Sequence, residues 1–181
     1  AAELHTRGAP LRLRLSHLKD RRTGYITIYD RPEETTDSEC SSDYATLHFP
    51  HQTVDELWID GMLDVLPLSV AVDCLARWRG WLKPAGCLKI QTIDAQAAVA
   101  RLASSDNPLM MREANRFLLG TEERPRRVLW TSETLGSLLA SLALAVTKVQ
   151  PLPDGTFVLI AKLDGPAPST AHIEQLAKQL A

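Results

Sequence analysis

The chain has 181 residues, of which 45% are hydrophobic and 23% charged, and its formal net charge is −2. This length suits one domain with a substantial core, and no apolar run approaches the roughly 20 residues that a transmembrane helix needs. The three cysteines are scattered and lack CxxC spacing, which favours reduced thiols over a disulfide framework. We therefore expect a cytoplasmic globular protein without a membrane span.

Charge is distributed unevenly along the first third of the chain. Residues 1–32 carry seven basic and three acidic side chains, whereas residues 33–64 carry nine acids and no lysine or arginine. Neighbouring blocks of opposite charge indicate a polarised surface suited to a homodimer or to another protein partner, although ordinary solvated faces explain the same pattern. Nucleic-acid binding is disfavoured because the basic residues are not interleaved with aromatic ones.

The N-terminal part predicts three short strands. Residues 11–15 alternate leucine with arginine, and residues 25–29 also alternate, so that each segment is predicted to be a strand. Residues 33–43 are acidic, rich in serine and threonine and poor in apolar side chains, which predicts a mobile loop. A brief third strand is predicted at residues 45–49.

Residues 54–94 predict a strand, a helix and a second strand joined by short turns. The first strand covers residues 54–60, and Ser69 is predicted to cap a helix whose apolar residues recur every three or four positions. Pro84 ends that helix, and Gly86 is expected to supply positive φ in the turn before a strand at residues 87–93. This order implies a right-handed crossover and hence a parallel sheet.

The rest of the chain predicts helices and one antiparallel hairpin. Helices are predicted at residues 95–103, 107–119, 132–141 (capped by Ser132) and 170–181, and strands at residues 143–150 and 156–162. The turn between the two strands contains Asp154 and Gly155, a pair that tolerates positive φ. Trp58 and Trp78 are expected in the core, whereas Trp81 is expected at the surface as an interface anchor.

Several motifs in and beside the central block carry a resemblance to a known family. They are Asp55-Glu56-Leu57, Met62-Leu63-Asp64-Val65-Leu66-Pro67, Leu82-Lys83-Pro84-Ala85-Gly86, Leu88-Lys89-Ile90 and, further on, Asn115-Arg116-Phe117-Leu118-Leu119-Gly120 with Trp130. These residues resemble class I S-adenosylmethionine-dependent methyltransferases, and most closely the small methyltransferase-like proteins of bacterial surface-glycan gene clusters.

The resemblance implies a fold and a division of the chain. It implies a Rossmann-like, doubly wound, mostly parallel sheet that ends in an antiparallel hairpin, all within a single domain. That domain covers residues 11–163, after an N-terminal tail at residues 1–10. A linker and a C-terminal helix at residues 164–181 are expected to follow it.

One motif of the family is degenerate here. The family has a Gly-x-Gly turn directly after the first strand, where the backbone approaches the cofactor closely. This chain has Ser16, His17 and Leu18 at that place, and no glycine follows until Gly24. Because these side chains occupy volume that the methionine part of the cofactor needs, the sequence predicts loss of ordinary S-adenosylmethionine binding.

The resemblance also implies further cofactor-binding positions, besides Ser16 and His17. Asp30 matches the acid that accepts hydrogen bonds from the ribose, and Asp43 matches the carboxylate that meets the adenine amino group. Asp60, Gly61 and Met62 follow the fourth strand, where the family lines the methyl-transfer pocket. Ordinary turn and loop acids remain the alternative interpretation of Asp30 and Asp43.

Candidate bases and metal ligands are few. His17 and Asp64 are the candidate catalytic bases if methyl transfer occurs, although transfer needs mainly alignment of the reacting groups. His48 and His51 have HxxH spacing but no third ligand nearby, so that no metal site is predicted.

Two functions are compatible with these residues. The favoured one is a methyltransferase-like domain that has lost ordinary cofactor binding and acts through contacts with a protein or an anionic ligand. Arg126 and Arg127 suit such an anion, as a phosphate or a sugar nucleotide, although a salt bridge to Glu122 or Glu123 is the alternative. The other function is an active enzyme that uses S-adenosylmethionine to methylate a hydroxyl of a small molecule or glycan.

Overall fold

A computed structural model describes residues 9–16, 22–29, 39–41, 47–104, 106–122 and 124–180. Its strands are β1 (Arg12–Ser16), β2 (Ile26–Tyr29), β3 (Glu39–Ser41), β4 (Val54–Asp60), β5 (Leu82–Ile93), β6 (Leu144–Pro151) and β7 (Thr156–Leu163). Its helices are α1 (Leu68–Trp81), α2 (Ala95–Ala103), α3 (Pro108–Leu119), α4 (Ser132–Ser141) and α5 (Thr170–Leu180).

The seven strands form one mixed sheet in the order β3-β2-β1-β4-β5-β7-β6. The first five strands pair in parallel, and β7 runs antiparallel to both β5 and β6. The hairpin between β6 and β7 turns at Gly155, which has a φ of 85°. The predicted fold class, a mostly parallel α/β sheet ending in an antiparallel hairpin, is therefore confirmed.

The two faces of the sheet differ in chemistry because side chains alternate along each strand. One face is apolar and fully buried, and it packs against α1 and α4 in the hydrophobic core. Its central residues are Leu13, Leu15, Leu57, Ile59, Leu88 and Ile90. The other face, called here the polar face, carries Arg14, Ser16, Glu56, Trp58, Asp60 and Lys89 in matching register.

The third strand lies elsewhere than predicted. Glu39–Ser41, inside the segment predicted to be a loop, pairs with β2 at the edge of the sheet. Residues 47–49 are not a strand, although Leu47 and Phe49 pack against the core from an irregular segment. The prediction failed because this edge strand is short and has no apolar pattern, whereas the two partly buried apolar side chains alternate with a polar one as in a strand.

Helix α1 buries more of its aromatic surface than expected. It begins at Leu68 after Pro67 and has no side-chain cap, so the predicted cap at Ser69 is wrong. Trp78 is 0% exposed as expected, but Trp81 is only 2% exposed and is not a surface anchor. Phe49 covers Trp81, with the two ring centroids 5.2 Å apart.

Strand β5 begins directly after α1 and contains the segment that was predicted to be a turn. Val54 pairs with Leu82 and Glu56 with Cys87, so that residues 83–86 bulge out of the ladder opposite one residue of β4. Gly86 does not adopt the expected positive φ. Glycine is needed there for space, because a Cβ atom would lie 2.9 Å from the carbonyl oxygen of Val54.

Replacing Gly86 with alanine should therefore lower the free energy of unfolding by about 1–3 kcal/mol, since backbone must move to admit the methyl group. Gly136 is the matched control: it lies within α4, and its Cβ would meet only Val146 Cγ2 at 3.6 Å. Gly136→Ala should raise stability by up to about 1 kcal/mol, because alanine favours the helix. Urea denaturation measures both, and equal stabilities for Gly86→Ala and the wild type would contradict this packing.

The C-terminal elements complete the core. The N-cap of α4 is Thr131, one residue before the predicted Ser132, and its side chain accepts a hydrogen bond from the backbone N–H of Thr134. Arg79 of α1 donates to the carbonyl oxygen of Gly165 at 2.8 Å, and desolvation by burial lowers the pKa of the Arg79 guanidinium.

Among the described helices, none combines the length and apolar character that crossing a bilayer requires.

Candidate functional site

Strands β1 and β4 end side by side at the carboxyl edge of the sheet. Ser16, the last residue of β1, is in register with Asp60 of β4 and with Tyr29 of β2. The strand order reverses between β1 and β4, and ligands of open α/β sheets bind in the crevice outside such a point. In this chain Ser16 is 0% exposed and Asp60 5% exposed, so the strand ends that would face a ligand are covered.

A buried ion pair joins β1 and β4 beside these strand ends. Arg14 of β1 is 0% exposed, and its Nε donates to Asp60 Oδ2 at 2.9 Å. Its Nη2 contacts the same carboxylate oxygen. A buried charge is tolerated only when it is paired and hydrogen-bonded, so each of these two residues depends on the other.

An aromatic and charged cluster continues along the polar face from this ion pair. The guanidinium carbons of Arg14 and Arg22 lie 5.4 Å and 5.0 Å from the ring centroid of Trp58, within cation–π range. Tyr25 meets the same indole edge-on at 5.5 Å, and its hydroxyl donates to Glu56. Trp58 is therefore half-buried in a polar cluster. The prediction that it lies in the apolar core is wrong.

Cys87 lies on the polar face beside Glu56, with which it is in register. Desolvation by burial raises the pKa of the Cys87 thiol, and the Glu56 carboxylate raises it further, whereas Lys89 and other nearby cations oppose the shift. A raised pKa leaves less thiolate at any given pH, and the thiolate is the nucleophile. Cys87 should therefore react slowly near neutral pH.

We expect Glu56→Gln to move the pH–rate profile of Cys87 alkylation to lower pH, because one source of the raised pKa is removed. The measurement is iodoacetamide alkylation in a Cys40→Ser, Cys74→Ser background. Asp55→Asn is the control, since this neighbouring carboxylate does not contribute to the shift. An unchanged profile in Glu56→Gln would contradict the electrostatic assignment.

A second feature of the carboxyl edge is a cavity of about 340 Å³ beside the end of β4. Gly61 and Val65 line one side, and α3 with the loop that follows it lines the other. Behind the cavity lies Asp64, which is 0% exposed and accepts a hydrogen bond from Arg126 through Oδ2. Asp64 Oδ1 has no hydrogen-bond partner within the described part of the chain.

Arg126 is held in place from two sides. Its Nε donates to the carbonyl oxygen of Phe117 at 2.9 Å, and its Nη1 contacts Asp64. Desolvation by burial lowers the pKa of the Arg126 guanidinium, but arginine stays protonated in proteins. The acid that pairs with Arg126 is therefore Asp64, 62 residues earlier in the sequence, and not Glu122, whereas Glu123 lies outside the described residues.

The structure brings together only some of the residues that the sequence suggested for cofactor binding. Ser16, Asp60 and Gly61 meet at the carboxyl edge, whereas Met62 is 1% exposed and packs in the hydrophobic core. His17, Asp30 and Asp43 lie outside the described residues. Their roles, like those of the described positions, remain predictions.

The histidine pair does not form part of a larger group. His48 is exposed, and His51 Nδ1 lies 3.1 Å from the carbonyl oxygen of Gly80. Within the ranges that the structure describes, no three histidine, cysteine, aspartate or glutamate side chains are grouped as metal ligands would be.

Sequence reasoning missed Arg14 as a residue of the crevice. The alternation of leucine and arginine was used only to predict a strand, since an arginine in such a pattern is typical of a solvent-facing position. The available signal was that Arg14 lies two residues before Ser16, because residues two apart in a strand point to the same face of the sheet. Its partner, 46 residues away, could be found only from the strand pairing.

Known proteins resemble this chain in structure, whereas the sequence comparisons found no match. No family model matches the sequence, and no curated protein matches it. One similar solved structure is a chain of the Haloferax volcanii complex that contains the Trm112 methyltransferase activator; it has a TM-score of 0.62 and 13% identity, and the match covers 87% of this chain and 84% of that one. Another is the CcbJ methyltransferase of Streptomyces caelestis, with a TM-score of 0.59 and 13% identity over 87% of this chain and 85% of that one.

A third similar structure contains a bound product of the cofactor. It is the 1,6-didemethyltoxoflavin-N1-methyltransferase of Burkholderia thailandensis with S-adenosylhomocysteine (TM-score 0.58, 16% identity, 87% of this chain and 73% of that one). At these identities the similarity concerns the fold alone. The chain thus has the Rossmann-like fold of class I S-adenosylmethionine-dependent methyltransferases.

Proposed function

We propose that this chain is a methyltransferase-fold domain that has lost ordinary S-adenosylmethionine binding and acts through contacts with a protein or an anionic ligand. The observation that carries the proposal is the Arg14–Asp60 ion pair, which is buried at the crevice between β1 and β4. The side chains of Arg14 and Asp60 thus lie next to the carboxyl ends of these strands, outside which this fold accommodates a ligand.

The energetics favour the ion pair over a cofactor that would need Asp60. Removing one partner of a buried pair costs about 3–5 kcal/mol because the other charge is left uncompensated. A cofactor that displaced Arg14 from Asp60 would bear that cost, and every 1.4 kcal/mol weakens binding tenfold. The Kd of a micromolar ligand would rise to between roughly 0.1 millimolar and a few millimolar.

Two further observations support a contact function. The polar face bears the charged and aromatic cluster around Trp58, and such side chains are enriched at recognition surfaces. The similar Haloferax volcanii chain belongs to a complex that contains a methyltransferase activator, so this fold is compatible with a protein partner. The resemblance to surface-glycan cluster proteins suggests glycan biosynthesis as the setting, in which sugar nucleotides are anionic ligands.

An active methyltransferase is the second candidate, and Asp64 favours it. Its carboxylate is 0% exposed, and Oδ1 has no hydrogen-bond partner among the described residues. A carboxylate oxygen in this state can accept a proton from an acceptor hydroxyl. In this case S-adenosylmethionine is the cofactor, and Asp64 or His17 is the base.

Thermal unfolding with millimolar S-adenosylmethionine or S-adenosylhomocysteine separates the two functions. A ligand at about a hundred times its Kd adds roughly 2.7 kcal/mol of stability and raises Tm by a few degrees. We expect no change in Tm with either compound. A clear rise in Tm that disappears in Asp30→Ala would instead show cofactor binding and favour the enzyme.

A further inference from the structure

The cavity beside β4 has an unusual concentration of positive charge. Three arginines, Arg116, Arg124 and Arg126, line it together with a single acid, Glu113. Asp64 pairs with Arg126 from behind, and the lining itself carries three guanidinium groups and one carboxylate. The cavity volume of about 340 Å³ lies within the range of small-molecule sites.

The three arginines lie on a helix and on the chain reversal that follows it. Arg116 lies in the last turn of α3, and Gly120 ends that helix with a φ of 81°. The backbone then doubles back, because Gly120 and Pro125 form an antiparallel bridge and the N–H of Arg126 donates to the carbonyl oxygen of Leu119 at 2.9 Å. This tight reversal brings Arg124 and Arg126 to the same cavity as Arg116.

Two of these guanidinium groups retain donors for a ligand. Arg126 uses one N–H on Phe117 and one on Asp64, and arginine has five N–H donors in all. Arg116 is exposed, and its guanidinium group makes no hydrogen bond or ion pair with any described residue. Arginine donors placed around one cavity match a group with several anionic oxygens.

We infer that this cavity binds the phosphate group of a small organic phosphate. This inference rests on the proposed function, because it names the class of the anionic ligand. A phosphate monoester carries about −1.5 to −2 charge and three acceptor oxygens, so it can accept hydrogen bonds from more than one guanidinium group, whereas a carboxylate has two oxygens and a single charge. The ring of Phe117 in the wall offers apolar surface to the organic part of the ligand.

Calorimetric titration of the whole chain with inorganic pyrophosphate tests the inference, with citrate at equal ionic strength as the carboxylate comparison. Arg116→Gln should weaken pyrophosphate binding about tenfold, because a charge-assisted hydrogen bond is lost. Arg112→Gln is the matched control, since Arg112 is exposed on the same helix but does not line the cavity. Glu113→Gln should tighten binding several-fold, because it removes a repulsive charge from the lining.

The outcomes are distinct. Citrate binding as tight as pyrophosphate binding would overturn the phosphate assignment. No binding of pyrophosphate, or equal weakening in Arg116→Gln and Arg112→Gln, would overturn the site. The titration contains no S-adenosylmethionine, so a failure here differs from a failure of the proposed function, which would show as cofactor binding.

Discussion

Replacing Arg14 with methionine should lower the free energy of unfolding by about 3–5 kcal/mol. Methionine keeps much of the side-chain length but leaves the Asp60 carboxylate, which is 5% exposed, without its counter-ion. Total stabilities of domains are about 5–15 kcal/mol, so the loss is a large share of the total. Urea denaturation with an unchanged m-value measures it directly.

A double-mutant cycle identifies the cause of this loss. The pair of substitutions Arg14→Met and Asp60→Asn should recover most of the lost stability, since no buried charge is then left unpaired. Lys83→Met is the surface control, because the Lys83–Asp55 pair is 40% and 31% exposed and should contribute less than about 1 kcal/mol. If Arg14→Met cost no more than Lys83→Met, the crevice would not hold a buried ion pair.

Replacing Arg126 with methionine should cost about 2–4 kcal/mol. Asp64 is 0% exposed and Oδ1 already lacks a hydrogen-bond partner within the described ranges, so losing Arg126 would leave the whole carboxylate uncompensated. The loss of stability is somewhat smaller than for Arg14→Met because the Arg126 side chain is 20% exposed, so that water can partly solvate Asp64 once the guanidinium group is gone.

The conservative variant Arg126→Lys separates charge from geometry. Lysine supplies a positive charge to Asp64, but it is a point charge that lacks the planar fork of arginine. It should therefore lose the hydrogen bond to the Phe117 carbonyl and cost about 1 kcal/mol. Denaturation midpoints of the two variants compare these costs, and equal midpoints would show that Asp64 does not depend on the charge of its partner.

The sequence predicts the central crossover of the fold well. Strand β4, helix α1 and the end of β5 each bury one or both faces, so their apolar patterns are long and regular. The hairpin was also predictable because Asp154 and Gly155 specify the turn chemistry. Strand β3 was not, since three residues at the sheet edge carry no periodic signal.

The candidate site was less predictable than the fold because its features are pairs of residues far apart in sequence. Asp60 and Asp64 were suggested from their place after a strand, but their partners Arg14 and Arg126 come from other elements. Trp81 shows the same limit: its burial depends on Phe49, which packs on it from an irregular segment. Such contacts follow from tertiary structure and leave little local trace.

The central claim is that the side chains of this chain fill the crevice between β1 and β4, and calorimetric titration with S-adenosylhomocysteine tests it most directly. This compound is the form bound in the similar Burkholderia thailandensis methyltransferase. We expect no saturable heat up to millimolar concentration in the wild type. Saturable one-to-one binding to the wild type, with a Kd in the micromolar range, would contradict the claim.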